Sequence, residues 1–223
     1  MKRTLITGAS TGLGKELAKL YALDNNDLIL VARNESKLNE VKNEILQLAN
    51  VKCDIVVADL SIKEEWEKVY NYTKDKGYFV NNLVNNAGFG DRTDFLEMDI
   101  DFQIKMTEVN CNSALYLTRM FLPMMVEHNE GHIINVASIA GFMPGPFMAT
   151  YHATKGYLLF ETFNSSKVNF SNSFFLEVAC LDFEALALNL AINSCNSLAF
   201  ASFLLFNSLA CFCNNWLVSY QKS

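Results

Sequence analysis

Short apolar runs alternate with amphipathic stretches along the first 165 residues of this chain, and that alternation leaves few folds open. Arg3 to Thr7, Leu28 to Ala32, Cys53 to Ala58, Tyr78 to Val84 and His132 to Ala137 each read as a buried strand. Between them the period becomes helical. Leu13 to Leu23 carries apolar residues at 13, 17, 20 and 21, and Glu35 to Leu48 carries them at 38, 41, 45 and 48. Ile62 to Tyr72 is a charged helix with a solvated face, Phe102 to Val126 reads as one long helix, and Thr150 to Phe163 as another. Successive parallel strands need crossover connections, usually helices. The pattern predicts an α/β fold: a doubly wound parallel sheet in three layers, with helices on both faces.

Composition narrows what such a fold can do. The chain has 223 residues, enough for one domain. An apolar content of 51% with 19% charged residues excludes intrinsic disorder. A net charge of -6 argues against a nucleic-acid partner, because a phosphate backbone demands a basic face. The 6 cysteines form no Cys-x-x-Cys, and with 3 histidines they give no zinc spacing; they read as buried, reduced thiols of a cytoplasmic protein. Met1-Lys2-Arg3 runs straight into a strand, without the apolar stretch of a secretory signal. Asp91, Asp94, Asp99 and Asp101 have metal-like composition but no ligand spacing, so loop and N-cap duty is expected of them.

The first strand ends in Thr7-Gly8-Ala9-Ser10-Thr11-Gly12-Leu13-Gly14 and a helix follows at once. Glycines let the backbone turn tightly and approach a ligand, while the helix start offers unpaired N–H groups and a positive dipole end to a pyrophosphate. A plain strand-to-helix turn is the bland alternative. NAD-binding folds place an acid about 20 residues further on, for the ribose hydroxyls. Here the second strand ends in Arg33. A cation there suits a 2′-phosphate, which favours NADP over NAD, although an Arg on a solvated strand end would look the same. Asp59, after the third strand, suits an adenine amino group, or a helix cap shared with Ser61. Asn85-Asn86-Ala87-Gly88 puts small residues at the tip of the fourth strand, where a ligand would cross the sheet.

Ser138 closes the fifth strand, and Tyr151 and Lys155 follow on a helix at i and i+4, hence on one face. A free phenol titrates near about 10 and is a poor acid–base at neutral pH. A neighbouring ammonium favours the phenolate and makes the pair a usable proton donor and acceptor. His152, next in sequence, points about 100° away from Tyr151. Met143-Pro144-Gly145-Pro146-Phe147 is a stiff apolar loop that either lines a substrate pocket or sets a turn.

Taken together, these motifs resemble the short-chain dehydrogenase/reductase family, in its single-domain Rossmann form, over about residues 2–160. The resemblance implies a catalytic tetrad of Asn110, Ser138, Tyr151 and Lys155. Tyr151 would exchange a proton with the substrate oxygen, and Lys155 would assist it and hold the nicotinamide ribose. Ser138 would orient the carbonyl, and Asn110 would hold a relay water; a polar residue kinking a helix is the other reading of Asn110. The cofactor contacts implied are Gly8, Ser10, Thr11, Gly12, Leu13, Gly14, Arg33, Asp59, Leu60, Asn86, Ala87 and Gly88, together with Tyr151 and Lys155. The expected activity is NADPH-dependent reduction of a small carbonyl, or the reverse oxidation of an alcohol. The expected assembly is a homo-oligomer built partly on the 102–126 and 150–163 helices.

Residues 161–223 break the pattern. No Gly or Pro occurs after Gly156, and residues 185–221 carry no charge. The best strand candidate is Phe175 to Leu181, followed by Asp182-Phe183 where the family has Pro-Gly, and the family's last strand has no counterpart. Three readings stay open: a diverged folded cap, a read-through in the wrong frame, or a membrane-associating segment at Leu198 to Cys213, which is short of the roughly 20 residues a span needs. If the tail fails, the fifth strand lies near an edge, and the chain becomes a defective relic or a cofactor-binding module.

Overall fold

The computed structural model describes residues 1–165 and 174–179. Five βα steps and a closing strand build one sheet. β1 (Lys2–Thr7) leads to α1 (Gly12–Leu23), β2 (Leu28–Ala32) to α2 (Glu35–Leu48), and β3 (Cys53–Val57) to α3 (Lys63–Asp75). β4 (Phe79–Asn85) leads to α4 (Ile100–Thr107), which runs through a π turn (Glu108–Asn112) into α5 (Ser113–His128). β5 (Gly131–Val136), a 3-10 turn (Ile139–Phe142), α6 (Ala149–Ser165) and β6 (Phe174–Ala179) complete the order. All pairings are parallel, and the strand order is β3-β2-β1-β4-β5-β6. The order reverses between β1 and β4, so a crevice opens at their carboxyl ends.

Two cores explain why the strands are apolar on both faces. Ile6, Leu28, Leu30 and Val84 meet Ala18, Tyr21, Leu38 and Ile45 of α1 and α2 on one side. Leu5, Ile29, Val31, Leu83 and Ile133 meet Trp66, Val69, Leu117, Phe121 and Met125 of α3 and α5 on the other. Each such large side chain contributes about 1.5–3 kcal/mol when buried. The helices start where local chemistry allows: Asn34 accepts from the Lys37 N–H at 2.9 Å before α2, and Asp99 accepts from the Phe102 N–H at 2.9 Å before α4.

The structure departs from the sequence pattern in one helix and completes it at two further places. The stretch expected as one helix over 102–126 is two α-helices joined by a π turn, because Asn110 turns inward there to bind a neighbouring loop. The strand expected at 175–181 forms as β6 and pairs with β5 from Gly131↔Phe174 to Val136↔Ala179. This strand covers most of the expected 175–181 stretch; the missing Pro-Gly turn, the last strand and the 198–213 segment lie outside the described residues. Finally, Arg3, expected at the head of an apolar run, is 2% exposed. It pairs with Asp27 at 2.5 Å and Asp54 at 3.7 Å, and its guanidinium lies 4.3 Å from the Tyr78 ring centroid. Among the described residues no helix is long and apolar enough to cross a membrane.

Arg3 therefore ties the starts of three strands through charge. Removing one partner of a fully buried ion pair costs about 3–5 kcal/mol. Asp27 and Asp54 stay 31% and 30% exposed, so water recovers part of that. Arg3→Ala should lower the unfolding free energy by about 2–3 kcal/mol in a urea titration, with Arg3→Met recovering at least half.

Candidate active site

The site is assembled from the carboxyl ends of the strands. Gly8 and Gly12 adopt φ of +66° and +56°, which only glycine takes without strain. A side chain at Gly8 would lie 2.9 Å from the Asn86 amide nitrogen, and one at Gly14 would strike both the Gly8 carbonyl and that amide. The Asn86 amide fills this space, donating to the carbonyls of Thr7 at 2.8 Å and Gly8 at 3.4 Å. Asn86 thus clamps the glycine turn from behind through its amide nitrogen. The Thr7 hydroxyl oxygen accepts from the N–H groups of Asn86 at 3.0 Å and Ala87 at 2.9 Å. Sequence reading put Thr7 at the head of the glycine turn without giving it this role; its signal was a hydroxyl on the last strand residue, opposite a motif whose backbone needed an acceptor.

In front of the turn lies a cleft of about 350 Å³ lined by Ser10, Thr11, Arg33, Asn34, Lys37, Asp59, Leu60, Ala87, Gly88 and Phe89 among others. It touches the tips of β2, β3 and β4 as well as the start of α1. Thr11 makes no side-chain cap bond to α1, and no acid sits in that helix's first turn. Its leading N–H groups and positive dipole end therefore remain for an anion. Nothing within 4 Å would meet a side chain at Gly12, so that backbone borders open space. Arg33 is exposed, with its guanidinium 3.9 Å from Asp59. Asp59 does not cap α3, whose N-cap is Ile62; its Oδ1 accepts instead from the Ser61 N–H at 3.0 Å and hydroxyl at 2.9 Å. Lys37 is a second cation on the same cleft that sequence reading missed; its signal was the i+4 spacing from Arg33 at a helix start.

The candidate catalytic residues lie beyond Gly88. Tyr151 and Lys155 share one face of α6, with the Lys155 Nζ 5.9 Å from the Tyr151 ring centroid. Lys155 is 5% exposed and donates to the Val136 carbonyl at 2.8 Å, which fixes its ammonium against the end of β5. A side chain at Gly88 would lie 3.3 Å from that ammonium and 3.2 Å from Asn110 Oδ1, so Gly88 roofs both. The Ser138 hydroxyl oxygen accepts from the Ala140 N–H at 3.2 Å, leaving its proton to be donated.

Asn110 is fully buried, and its side chain makes three hydrogen bonds. Its amide donates to the Phe89 carbonyl at 2.8 Å and the Thr154 hydroxyl at 3.0 Å, and its Oδ1 accepts from the Phe89 N–H at 3.0 Å. Both amide hydrogens are thus used within the protein, and the second lone pair of Oδ1 faces the space beside Gly88. Two further residues escaped sequence reading. Thr154 accepts from Asn110 and donates to the Tyr151 carbonyl at 2.8 Å. Gly90 seats the Tyr151 ring, since a side chain there would lie 2.8 Å from ring Cγ. His152, partly buried, pairs through Nδ1 with the Met143 carbonyl and leaves the Tyr151 face. Asp91, Asp94 and Asp99 accept from Thr93, Leu96 and Phe102 and serve the loop and the α4 cap. Among the described residues no group of three His, Cys, Asp or Glu is placed to hold a metal.

A doubly wound parallel sheet with a glycine turn at its switch point defines the nucleotide-binding Rossmann class. Within that class, the chain belongs to the short chain dehydrogenase family, whose profile matches residues 2–160. It is similar to the very-long-chain 3-oxoacyl-CoA reductase of Mus musculus, 34% identical over 160 residues that cover 70% of this chain and 51% of that protein. The chain thus spans about half the length of that relative. Among solved structures it is similar to a short-chain dehydrogenase from Sphingobium yanoikuyae in complex with NADPH, with a TM-score of 0.74 and 27% identity, covering 80% of this chain and 69% of that one. A metagenomic short-chain oxidoreductase in complex with NADP gives a TM-score of 0.70 and 28% identity, covering 74% and 75%.

Two thiols near these elements are chemically quiet. Burial pushes Cys53 and Cys111 up to about 12, with the Lys155 ammonium pulling Cys111 only slightly back. At pH 8 neither should be alkylated by iodoacetamide until the chain is unfolded in urea, as read by peptide mass mapping. Both thiols keep their protons in the folded chain above the ordinary value near 9. Their contribution to stability is therefore whole below pH 9 and is lost as pH rises toward 12. Cys111→Ala should flatten that alkaline decline in urea titrations.

Proposed function

We propose that this chain is an NADP(H)-dependent oxidoreductase that moves a hydride between nicotinamide and a small carbonyl or alcohol substrate, with Tyr151 as acid–base. The observation that carries this reading is the anchored pair of Tyr151 and Lys155, with the Lys155 ammonium set against Gly88, which lines the cleft. When bound, the nicotinamide supplies or accepts the hydride. The chain's own residues do the rest. Gly12, Leu13 and Gly14 present N–H groups to a pyrophosphate, Ser10 and Thr11 add hydroxyls, and Leu60 and Ala87 give apolar walls. Asp59 accepts from an adenine amino group. The Tyr151 hydroxyl passes its proton to the substrate oxygen in reduction and takes it back in oxidation. Lys155 places positive charge beside the phenolate this leaves. The free Ser138 proton orients the carbonyl and offsets charge developing on its oxygen.

Arg33 and Lys37 together suit a 2′-phosphate, so NADPH is preferred and carbonyl reduction is the favoured direction. The same proposal makes the chain a cytoplasmic protein of small-molecule chemistry that pairs with a second copy, without nucleic acid. A second reading, a cofactor-binding module without turnover, is favoured by the family match ending at residue 160.

Purified protein separates the two. Enhanced NADPH fluorescence together with NADPH oxidation by a ketone panel supports the enzyme, whereas fluorescence change without oxidation supports the module. Tyr151→Phe should cut kcat by about 10²–10⁴-fold while NADPH affinity stays within about twofold. Retention of the wild-type rate would overturn the acid–base assignment. Arg33→Ala should lower the preference for NADPH over NADH by at least about tenfold in kcat/KM, the usual scale for a lost charge-assisted hydrogen bond.

A further inference from the structure

The loop between Ser138 and Tyr151 is apolar, exposed and strained. Ile139, Met143 and Phe147 keep 54%, 48% and 51% of their surface in water, although each is a large apolar side chain. Phe147 also sits at φ +64°, a left-handed conformation that bulky residues rarely adopt. Such strain persists only where the surroundings impose it. Here the surroundings are identifiable. The Phe147 carbonyl accepts from the Thr93 N–H at 3.0 Å, and the Arg92 guanidinium lies 5.9 Å from the Phe147 ring centroid. At the other end of the loop His152 grips the Met143 carbonyl, and its ring packs against Gly145. The loop is thus held open at both ends, with its apolar side chains turned outward.

The position of this wall tells what it meets. It begins next to Ser138 and ends against the start of α6, which carries Tyr151. The facing loop touches both Tyr151, through Gly90, and Phe147, through Arg92 and Thr93. The wall therefore borders the ground between Ser138 and Tyr151, where a carbonyl held by both would project its substituent. The facing loop also carries the exposed carboxylates of Asp91, Asp94 and Glu97 against the one cation Arg92, and Arg92 is turned onto Phe147. An anionic substituent would face net like charge beside an apolar surface that cannot hydrate it.

Resting on the oxidoreductase reading above, we propose that Phe147, Met143 and Ile139 form the substrate-side wall and select carbonyl compounds with neutral apolar chains over anionic ones. Catalytic efficiency then rises with chain length, by up to about fourfold per methylene where burial is complete.

The test compares ketones on the full chain with NADPH. From 2-butanone to 2-octanone, kcat/KM should rise at least about tenfold. Methyl 9-oxodecanoate should exceed 9-oxodecanoate by at least about tenfold, the gap narrowing with added salt. Phe147→Gly, which accepts the left-handed φ without strain, should keep or raise Tm and flatten the chain-length profile. A flat wild-type profile, or an anion reduced as well as its ester, overturns the proposal while leaving the oxidoreductase reading intact. Saturation-transfer NMR on the NADP-loaded chain gives a readout without turnover. If no ketone is reduced, the catalytic reading fails, yet stronger transfer to 2-decanone than to 9-oxodecanoate upholds the apolar wall. Equal transfer to both overturns it.

Discussion

A single hydroxyl joins the two loops on which the site depends. Thr7 ends β1, and its Oγ1 takes the N–H groups of Asn86 and Ala87 at the end of β4. The Asn86 amide returns the contact by bonding the Thr7 and Gly8 carbonyls. At the switch point of a parallel sheet the strand ends diverge, so loops there have no ladder to hold them. This exchange replaces the ladder for one further turn. It also gives the glycines a second reason to exist. Gly8 and Gly14 lack side chains because Asn86 occupies that volume, and only Gly12 borders open space. The turn is therefore fixed from the protein side before any anion reaches it.

Much of this was legible in the sequence because the period of burial is a local property. Strand and helix boundaries from β1 to β5 fall within a few residues of the pattern, and the i, i+4 spacing of Tyr151 and Lys155 placed them on one face. The clamp was half legible: Thr7 and Asn86 each stood in a motif, but nothing local paired them. What escaped has a common cause, since it depends on pairings distant in the chain. Arg3 can be buried only because Asp27 and Asp54 end up beside it, 24 and 51 positions on. The π turn at Glu108–Asn112 has no local signal, as the apolar period runs through it unchanged. Its cause is the Phe89 backbone, 21 positions earlier. Lys37 belongs to the first turn of α2, and only the fold brings that turn to the cleft beside Arg33.

Asn110 shows how such distant pairings shape the chemistry. An α-helix would have carried its side chain to the next face; the extra residue of the π turn turns it onto Phe89 instead. Both backbone groups of Phe89 are then satisfied by one amide, as a strand neighbour would do. The next residue but one after Gly88 is Gly90, and the Tyr151 ring rests where a side chain at 90 would be. Because Phe89 cannot shift, neither can the backbone beneath that ring. Thr154 closes the circuit, binding Asn110 and the Tyr151 carbonyl at once. Asn110 is in this sense a positioning residue: its side chain reaches the proposed proton donor through a loop on one side and a helix turn on the other. That geometry follows from sequence only when three segments are read together, which explains why an asparagine inside a helix could also be read as a kink.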